Sequence, residues 1–561
     1  MTGLAALAGM GHGGRGTGRF GLLLRILSLA SCLFPLAPEA QVRRVEILNA
    51  DYVEVTTDTA GVVRRLVGDV RLRQDTTFLR SDRAVYYESR GEVVMDGAVR
   101  ILSGRDTLTA AAVTYDSNTK TAVASGAVRL GDGESVVLAP TATYDSRAEI
   151  AAFTGGGRIL HRGAVLTSAE GTYSSARRVA EFAGPVTLED SSGVLTAARG
   201  TYDADVRRAD FAGDVRLRRP DAALDADSVV YFRRTERARA YGRVVLQRVG
   251  DDGAVERAAD APADSSRRTL LFGETLLFDG QAETASARGE PGRDPLLLTL
   301  RADSTGRVDS TLARAPRIDA ARLVVGADTS TVIVMGGGAR VWERRLAAVA
   351  DSARFVRQPG DSLRVDLDRL GLFGARRPSV WADGSQLTGD SLFASVRGGA
   401  VDSLRVLGRA FAARLDSTLG RLQQIAGGRM LGLFDDDDLR TLGVGPNAQV
   451  VYYRASPDGL LAGAEELSAD TLAFRFEDGE LRELAGYRGI QGTTYGATVV
   501  PDDPRLPGFA YTPDAPTRAA LLGDGWEVGW LDQYGPALGL PPPDDGDPPP
   551  LPEDAPEATG E

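Results

Sequence analysis

Four consecutive carboxylates, Asp435 to Asp438, are the densest set of candidate metal ligands in the chain, and oxygen-rich runs of this kind can hold calcium. The spacing does not suit that chemistry. An EF-hand alternates its ligands and needs a fixed glycine and a closing glutamate, and neither is in place. The run lies within MLGLFDDDDLRTL (430–442), where Phe434, Leu439 and Leu442 match Phe476, Leu481 and Leu484 further on. In that alignment the aspartates fill a hairpin tip occupied elsewhere by Arg-Gly-Gly-Ala or Glu-Asp-Gly-Glu, so they are expected to solvate a turn. Other reactive groups are scarce. The only histidines are His12 and His161, and the only cysteine is Cys32. One thiol excludes an intrachain disulfide, an iron–sulfur site and a thiolate zinc site. His161 stands alone in a strand–turn region and reads as a solvated side chain. Serine-triad, zinc-hydrolase and most general-base schemes need more imidazole than this. Carboxylates such as Asp116, Asp145 and Asp203 fall in turns rather than in a close pair suited to glycoside hydrolysis. No metal, cofactor or catalytic residue is expected.

The elements that carry these residues are set by a ruler. Glycine recurs every 29 residues at 68, 97, 126, 155, 184, 213 and 242. A second ladder keeps the step with Tyr86, Tyr115, Tyr144, Tyr173, Tyr202 and Tyr231. Two residues after the glycine comes Val70, Val99, Val128, Gly157, Val186, Val215 or Val244, and four after it Leu72, Ile101, Leu130, Ile159, Leu188, Leu217 or Leu246. Apolar residues two apart share one face of a strand, so each glycine is expected to open a short half-buried strand. A fixed period of this length marks stacked units that cannot bury their apolar faces alone. Five residues before each tyrosine the side chain is small (Ser81, Ala110, Ala139, Ser168, Ala197, Ala226). Two before the next glycine stands Met95, Ala124, Phe153, Phe182, Phe211 or Ala240. Small residues at one level and bulky ones at another suit a folded-over sheet that tapers. A trough lined by Val99, Ile101, Val128, Leu130, Phe153, Phe182, Val186, Leu188, Phe211, Val215 and Leu217 is what a lipid chain needs, although each residue singly reads as core.

Residues 1–40 read as a secretory signal, with Arg15, Arg19 and Arg25 before a short apolar run and cleavage after Ala40; the alternative is a lipobox ending at Cys32 and a lipid anchor there. The chain carries a net charge of −12, and the leader's three arginines and Glu39 amount to +2, leaving −12 − 2 = −14 on the mature chain, which disfavours nucleic acid as a partner. The repeat array spans 41–250, a polar linker or insertion 251–268, and a second, less regular β region 269–500. Within the latter, LTGDSLFASVRGGAVDSL from Leu387 aligns with LSADTLAFRFEDGELREL from Leu467. Residues 501–540 form a C-terminal extension with a short helix at Pro513–Leu522, and the Pro- and acid-rich 541–561 are expected to be disordered.

The order of these motifs resembles the OstA-like (LptA-type) family. It is clearest in ALDADSVVYF (223–232) followed by GRVVL (242–246), and in GTYDADVRRADFAGDVRL (200–217). The resemblance implies an all-β fold, an elongated antiparallel β-jellyroll or "taco", in one array or two in series. It also implies lipopolysaccharide or a related glycolipid as cargo, and other lipopolysaccharide-transport proteins as partners through strand augmentation. The setting would be periplasmic, with peripheral membrane association. The rival reading is a structural β-solenoid, a scaffold or adhesin with a dry, side-chain-filled interior and no lipid.

Overall fold

The computed structural model describes residues 45–520, except 60, 221, 250–266, 291, 303–307, 326–327, 344–345, 359–366, 383, 398–399, 436–437, 478–479, 502–503, 514 and 518–519. The leader with Cys32 and Ala40, most of 251–268 and the tail 541–561 lie outside the described residues. Half of the helix expected at 513–522 lies outside them as well, and of its described residues 513 and 515–517 are not helical.

Among the described residues there are 36 strands and one 3-10 turn, Ala497–Val499. Every strand pairing is antiparallel, and all belong to one hydrogen-bonded sheet. In the first region, strands adjacent in sequence pair directly. Gly61–Gln74 pairs with Thr77–Tyr87, and the ladder continues through Glu92–Ser103, Asp106–Asp116, Thr121–Gly131, Ser135–Asp145, Ile150–His161 and Ala164–Ser174.

The glycine ruler has a different meaning from the one expected. A glycine does not open a strand; it bends a longer one at its middle. The register slips between Asp96 and Val99, and again between Ser125 and Val128. The skipped pairs, Gly97-Ala98 and Gly126-Ala127, both have positive φ. At Gly126 (φ +78°) a Cβ would lie 2.6 Å from the Ala111 methyl carbon, so no other residue fits without displacement. These are β-bulges repeated at one level, and they fold the sheet over on itself.

Two half-sheets result. One carries the tyrosine ladder, and the other the Leu/Ile ladder that begins at Leu72. Between the bulges the strands alternate, so one face of each half-sheet turns inward. On the tyrosine half, Leu66, Ala84, Met95, Val113, Ala124, Ala142 and Phe153 are successive cross-strand partners. All of them are buried in a single apolar cluster shared with the leucine half. Burial of each large apolar side chain stabilises the fold by roughly 1.5–3 kcal/mol. The small residues expected at one level sit beside the bend, where Ser81, Ala110 and Ala139 face Val70, Val99 and Val128.

The sheet continues without a hydrogen-bonding break past 250–266. Arg237–Val249 pairs along Arg267–Asp279, so Arg267 and Arg268 belong to a strand. The inner tyrosine-half row runs on through Leu276, Ala287, Ile318 and Met335 to Leu472. The aligned segments at Leu387 and Leu467 both place their leucine on the inner leucine row, paired with Ala412 and Val450. Asp435 pairs with Asp438, Arg397 with Ala400 and Glu477 with Glu480, so all three tips close hairpins.

After Val499 the chain turns back across the outer face of the leucine half-sheet. The Gln424 side chain donates to Pro504 O (2.7 Å) and accepts from Leu506 N (3.2 Å). Gln386 accepts from Thr512 N (2.7 Å), and Trp381 Nε1 donates to Thr512 O (3.0 Å). Leu506, Phe509 and Tyr511 pack on Phe411, Ala413 and Ala426, with the Phe411 and Phe509 rings edge to face at 5.6 Å.

Candidate functional site

All eleven trough candidates point inward and are buried: Val99, Ile101, Val128, Leu130, Phe153, Phe182, Val186, Leu188, Phe211, Val215 and Leu217. The most exposed of them, Leu217, is 7% accessible. Their sequence spacing puts Val99, Val128, Val186 and Val215 beside the bend. Ile101, Leu130, Leu188 and Leu217 sit one level further along the leucine half. Phe153, Phe182 and Phe211 lie opposite them on the tyrosine half. The two half-sheets are closed on each other at these levels.

A polar seam holds the edge of the fold farthest from the bend. The Tyr115 hydroxyl donates to Gln74 Oε1 (2.8 Å), Tyr144 to Asp106 Oδ2 (2.7 Å) and Tyr173 to Asp132 Oδ2 (2.6 Å). Each bond joins the tyrosine half to a turn of the leucine half about forty residues earlier in the chain. Asp106 also accepts from the Ser175 hydroxyl, and Tyr231 lies 3.0 Å from the Ser192 hydroxyl. Arg233 Nε donates to Asp190 Oδ2 (2.6 Å) and its Nη1 to the Tyr202 hydroxyl (3.3 Å).

His161 belongs to this seam, and the expectation that it is solvated is corrected. It is 2% exposed, its Nδ1 lies 3.0 Å from the Ser135 hydroxyl, and it meets the Tyr202 ring edge to face at 6.0 Å. Its place in the 29-residue register explains the burial: positions 74, 103, 132, 161 and 190 all fall at the same turn opposite the tyrosines.

The electrostatics follow from this seclusion. Burial pushes the Tyr115 hydroxyl up to about 12 and raises Tyr144 and Tyr173 further. Burial also lowers the His161 ring below its ordinary 6.5, helped by Arg162 and Arg178. For Asp132 burial is the largest influence and acts to raise it. Hydrogen bonds from Tyr173, Ser135 and Glu134 outweigh that, so its carboxyl is held below the usual range. Beside it, hydrogen bonds from Arg178 and then Arg162 bring Glu134 down to about 2. The seam is therefore a series of buried tyrosine hydroxyls hydrogen-bonded to an amide, to carboxylates and to a serine across the two half-sheets, a structural latch. Asp116, Asp145 and Asp203 cap their own turns through backbone N–H groups two and three residues on. Among the described residues no cluster of histidine, cysteine and carboxylate groups could hold a metal.

In the first region the repeat is broken at 183–185 and again at Ala198, which separates Gly193–Ala197 from Arg199–Asp203. Ala183-Gly184-Pro185 leaves the ladder between Val179–Phe182 and Val186–Asp190. Here Phe153 pairs with Gly171, and Phe182, Gly200, Phe211 and Val229 are successive partners across the tyrosine half. A Cβ on Gly200 would lie 2.1 Å from the Phe211 ring, so the glycine makes room for an inward phenylalanine. Over this stretch lies a concavity of about 760 Å³, within the roughly 300–1,000 Å³ of ligand pockets. Its lining comes from that row and the two beside it, including Thr172, Thr201 and Asp210. No inward residue of the leucine half contributes, so it opens on the outside of the tyrosine half-sheet. Of the trough candidates it includes Phe153, Phe182 and Phe211; the other eight are not part of it.

The site is thus a bent, repeat-built antiparallel sheet with one inner apolar face. Residues 42–198 match the OstA-like protein family. The OstA-like segment covers the first bends and ends where the broken repeat begins its return. The family points to the lipopolysaccharide and organic-solvent-tolerance transport type, one of transport and binding rather than catalysis, periplasmic in those systems. No curated protein matches the chain. Among the described residues no helix is long and apolar enough to cross a membrane.

Proposed function

We propose that this protein binds lipopolysaccharide or a related glycolipid, and that it takes the acyl chains against the inner face by parting the two half-sheets along the tyrosine seam. The observation that carries the reading is the single apolar row from Leu66 to Leu472, which gives hydrocarbon one continuous path across the sheet. Burying each methylene is worth roughly 0.8 kcal/mol, so a few chains outweigh the loss of several seam hydrogen bonds at about 1–3 kcal/mol each. The break at 183–185 interrupts the strand that runs through the bend elsewhere, and it is the place where opening would begin.

The N-terminal edge supports docking in series. Glu46–Asn49 and Tyr52–Asp58 pair only with Gly61–Gln74 among the described residues. They expose Ile47, Leu48, Tyr52, Val53 and Val55. An unpaired edge of this kind can receive a strand from another transport component.

The closed interior favours a second reading, an inert scaffold. Native mass spectrometry of protein extracted from membranes separates the two. The transport reading expects bound glycolipid, and its loss when Gln74→Cys and Tyr115→Cys are joined by a short bis-maleimide in a Cys32→Ser background. Lipid-free protein, or lipid retained in the stapled form, contradicts it.

A further inference from the structure

A strand whose inner residue meets the core turns its neighbours outward, and in the first region those neighbours are solvated. Leu72 is flanked by Arg71 and Arg73, and Leu217 by Arg216 and Arg218. From Arg267 onward the same half-sheet is built differently. Leu271 and Leu297 hold the inner row, yet Leu270 and Phe272 on one side of the pairing and Leu296 and Leu298 on the other are also buried, none more than 2% exposed. Leu312, Trp342, Ala347 and Trp381 extend this outer row by direct pairing. One sheet cannot bury both of its faces by itself; a second layer must cover this one.

The returning segment supplies that layer at one end. It covers Phe411 and Ala413 and reaches Trp381 through Thr512, moving strand by strand toward the N-terminal side. From Trp381 to Leu270 there remain five inter-strand steps of about 4.8 Å, about 24 Å in all. The chain beyond Thr512 is long enough many times over. Its stretch LLGDGWEVGWLDQY (521–534) carries Trp526 and Trp530, the two tryptophans other than Trp342 and Trp381.

We propose that residues 521–534 continue the returning segment over Leu298, Leu312 and Trp342. The C-terminal extension is then a strap that seals the outer face of the leucine half-sheet. Sealing leaves the inner face and the sheet edges as the surfaces open to cargo and partners in this region. It also stiffens one half-sheet so that any parting of the two must come from the tyrosine half.

Two measurements on the full-length protein test this. A benzophenone amino acid at Trp526 should give an intrachain adduct, mapped by peptide mass spectrometry to 267–358. Adducts confined to a second copy, to 45–249 or to 251–266, or no adduct at all, overturn the strap. Independently, acrylamide quenching of Trp342 and Trp381 should rise severalfold when the chain is ended at Ala520, relative to full-length Trp526→Phe/Trp530→Phe protein. Unchanged quenching overturns it.

Discussion

The leucine half-sheet is one ladder with two outer faces. Before Phe232 its outer face meets water, with arginine and threonine beside exposed Phe78, Leu102 and Val194; after Arg267 it buries Leu270, Phe272, Leu296 and Leu298, and at its far end a returning segment covers Phe411 and Ala413. The inner rows hardly differ. A repeat therefore specifies its bend and its core with the same few positions, and what is laid over the outside is free to change. That difference makes the first region a half-buried sheet and the second a sheet buried on both faces, and the two should answer to mutation differently.

The largest contrast is expected between two phenylalanines on the outer face. Phe411→Ala should destabilise by about 3–5 kcal/mol, because Phe411 is fully buried beneath Phe509. Phe78→Ala, 45% exposed in the first region, should cost under about 1 kcal/mol. Equal effects in chemical denaturation would erase the distinction between the regions.

The bend should behave alike in both. Gly126→Ala and Gly408→Ala each put a side chain at positive φ and within 2.6 Å of a neighbour, Ala111 or Asp390, and should each cost about 2–3 kcal/mol. A harmless Gly408→Ala would mean that the second region bends by another device. Tyr144→Phe leaves the buried Asp106 without one donor and should cost about 2 kcal/mol by the same assay, with no counterpart on the outer face.

His161 gives the seam a pH signature. Its folded pKa lies below the ordinary 6.5, so the unfolded chain takes up the proton first as pH falls. The ring's contribution is whole above about pH 6.5 and declines as pH falls through that value toward the lowered folded pKa. Melting temperature should drop from pH 7.5 to pH 5 in the natural protein and drop less in His161→Gln. The smallest effect is expected at the exposed Arg83–Asp96 pair, where a double-mutant cycle should give no more than about 1 kcal/mol of coupling.

Much of this was legible in the sequence, and the failures have physical causes. The period, the all-β class and the inward residues follow from two-residue alternation, which the chain states openly in Val99-Arg100-Ile101. The role of the glycine does not, because a bulge and a strand start both place glycine before alternating apolar residues; only the skipped partners, Gly126 and Ala127 opposite none, tell them apart. His161 was misread because a single histidine carries no pattern. Its register with Gln74, Asp132 and Asp190 was the available signal, and the forty-one-residue offset to the tyrosines is a tertiary relation that alternation cannot express. The second outer face was written plainly in LLF at 270–272 and LLL at 296–298, runs without alternation that mark strands buried on both sides.

Transport along the interior requires that hydrocarbon reach the inner face. A benzophenone amino acid placed in cells at Val128, Phe182 or Leu217, with outward Phe78 as the control, should yield glycolipid adducts at the three inner positions and none at Phe78. Adducts to protein segments alone, or lipid captured equally at Phe78, would contradict transport along the interior.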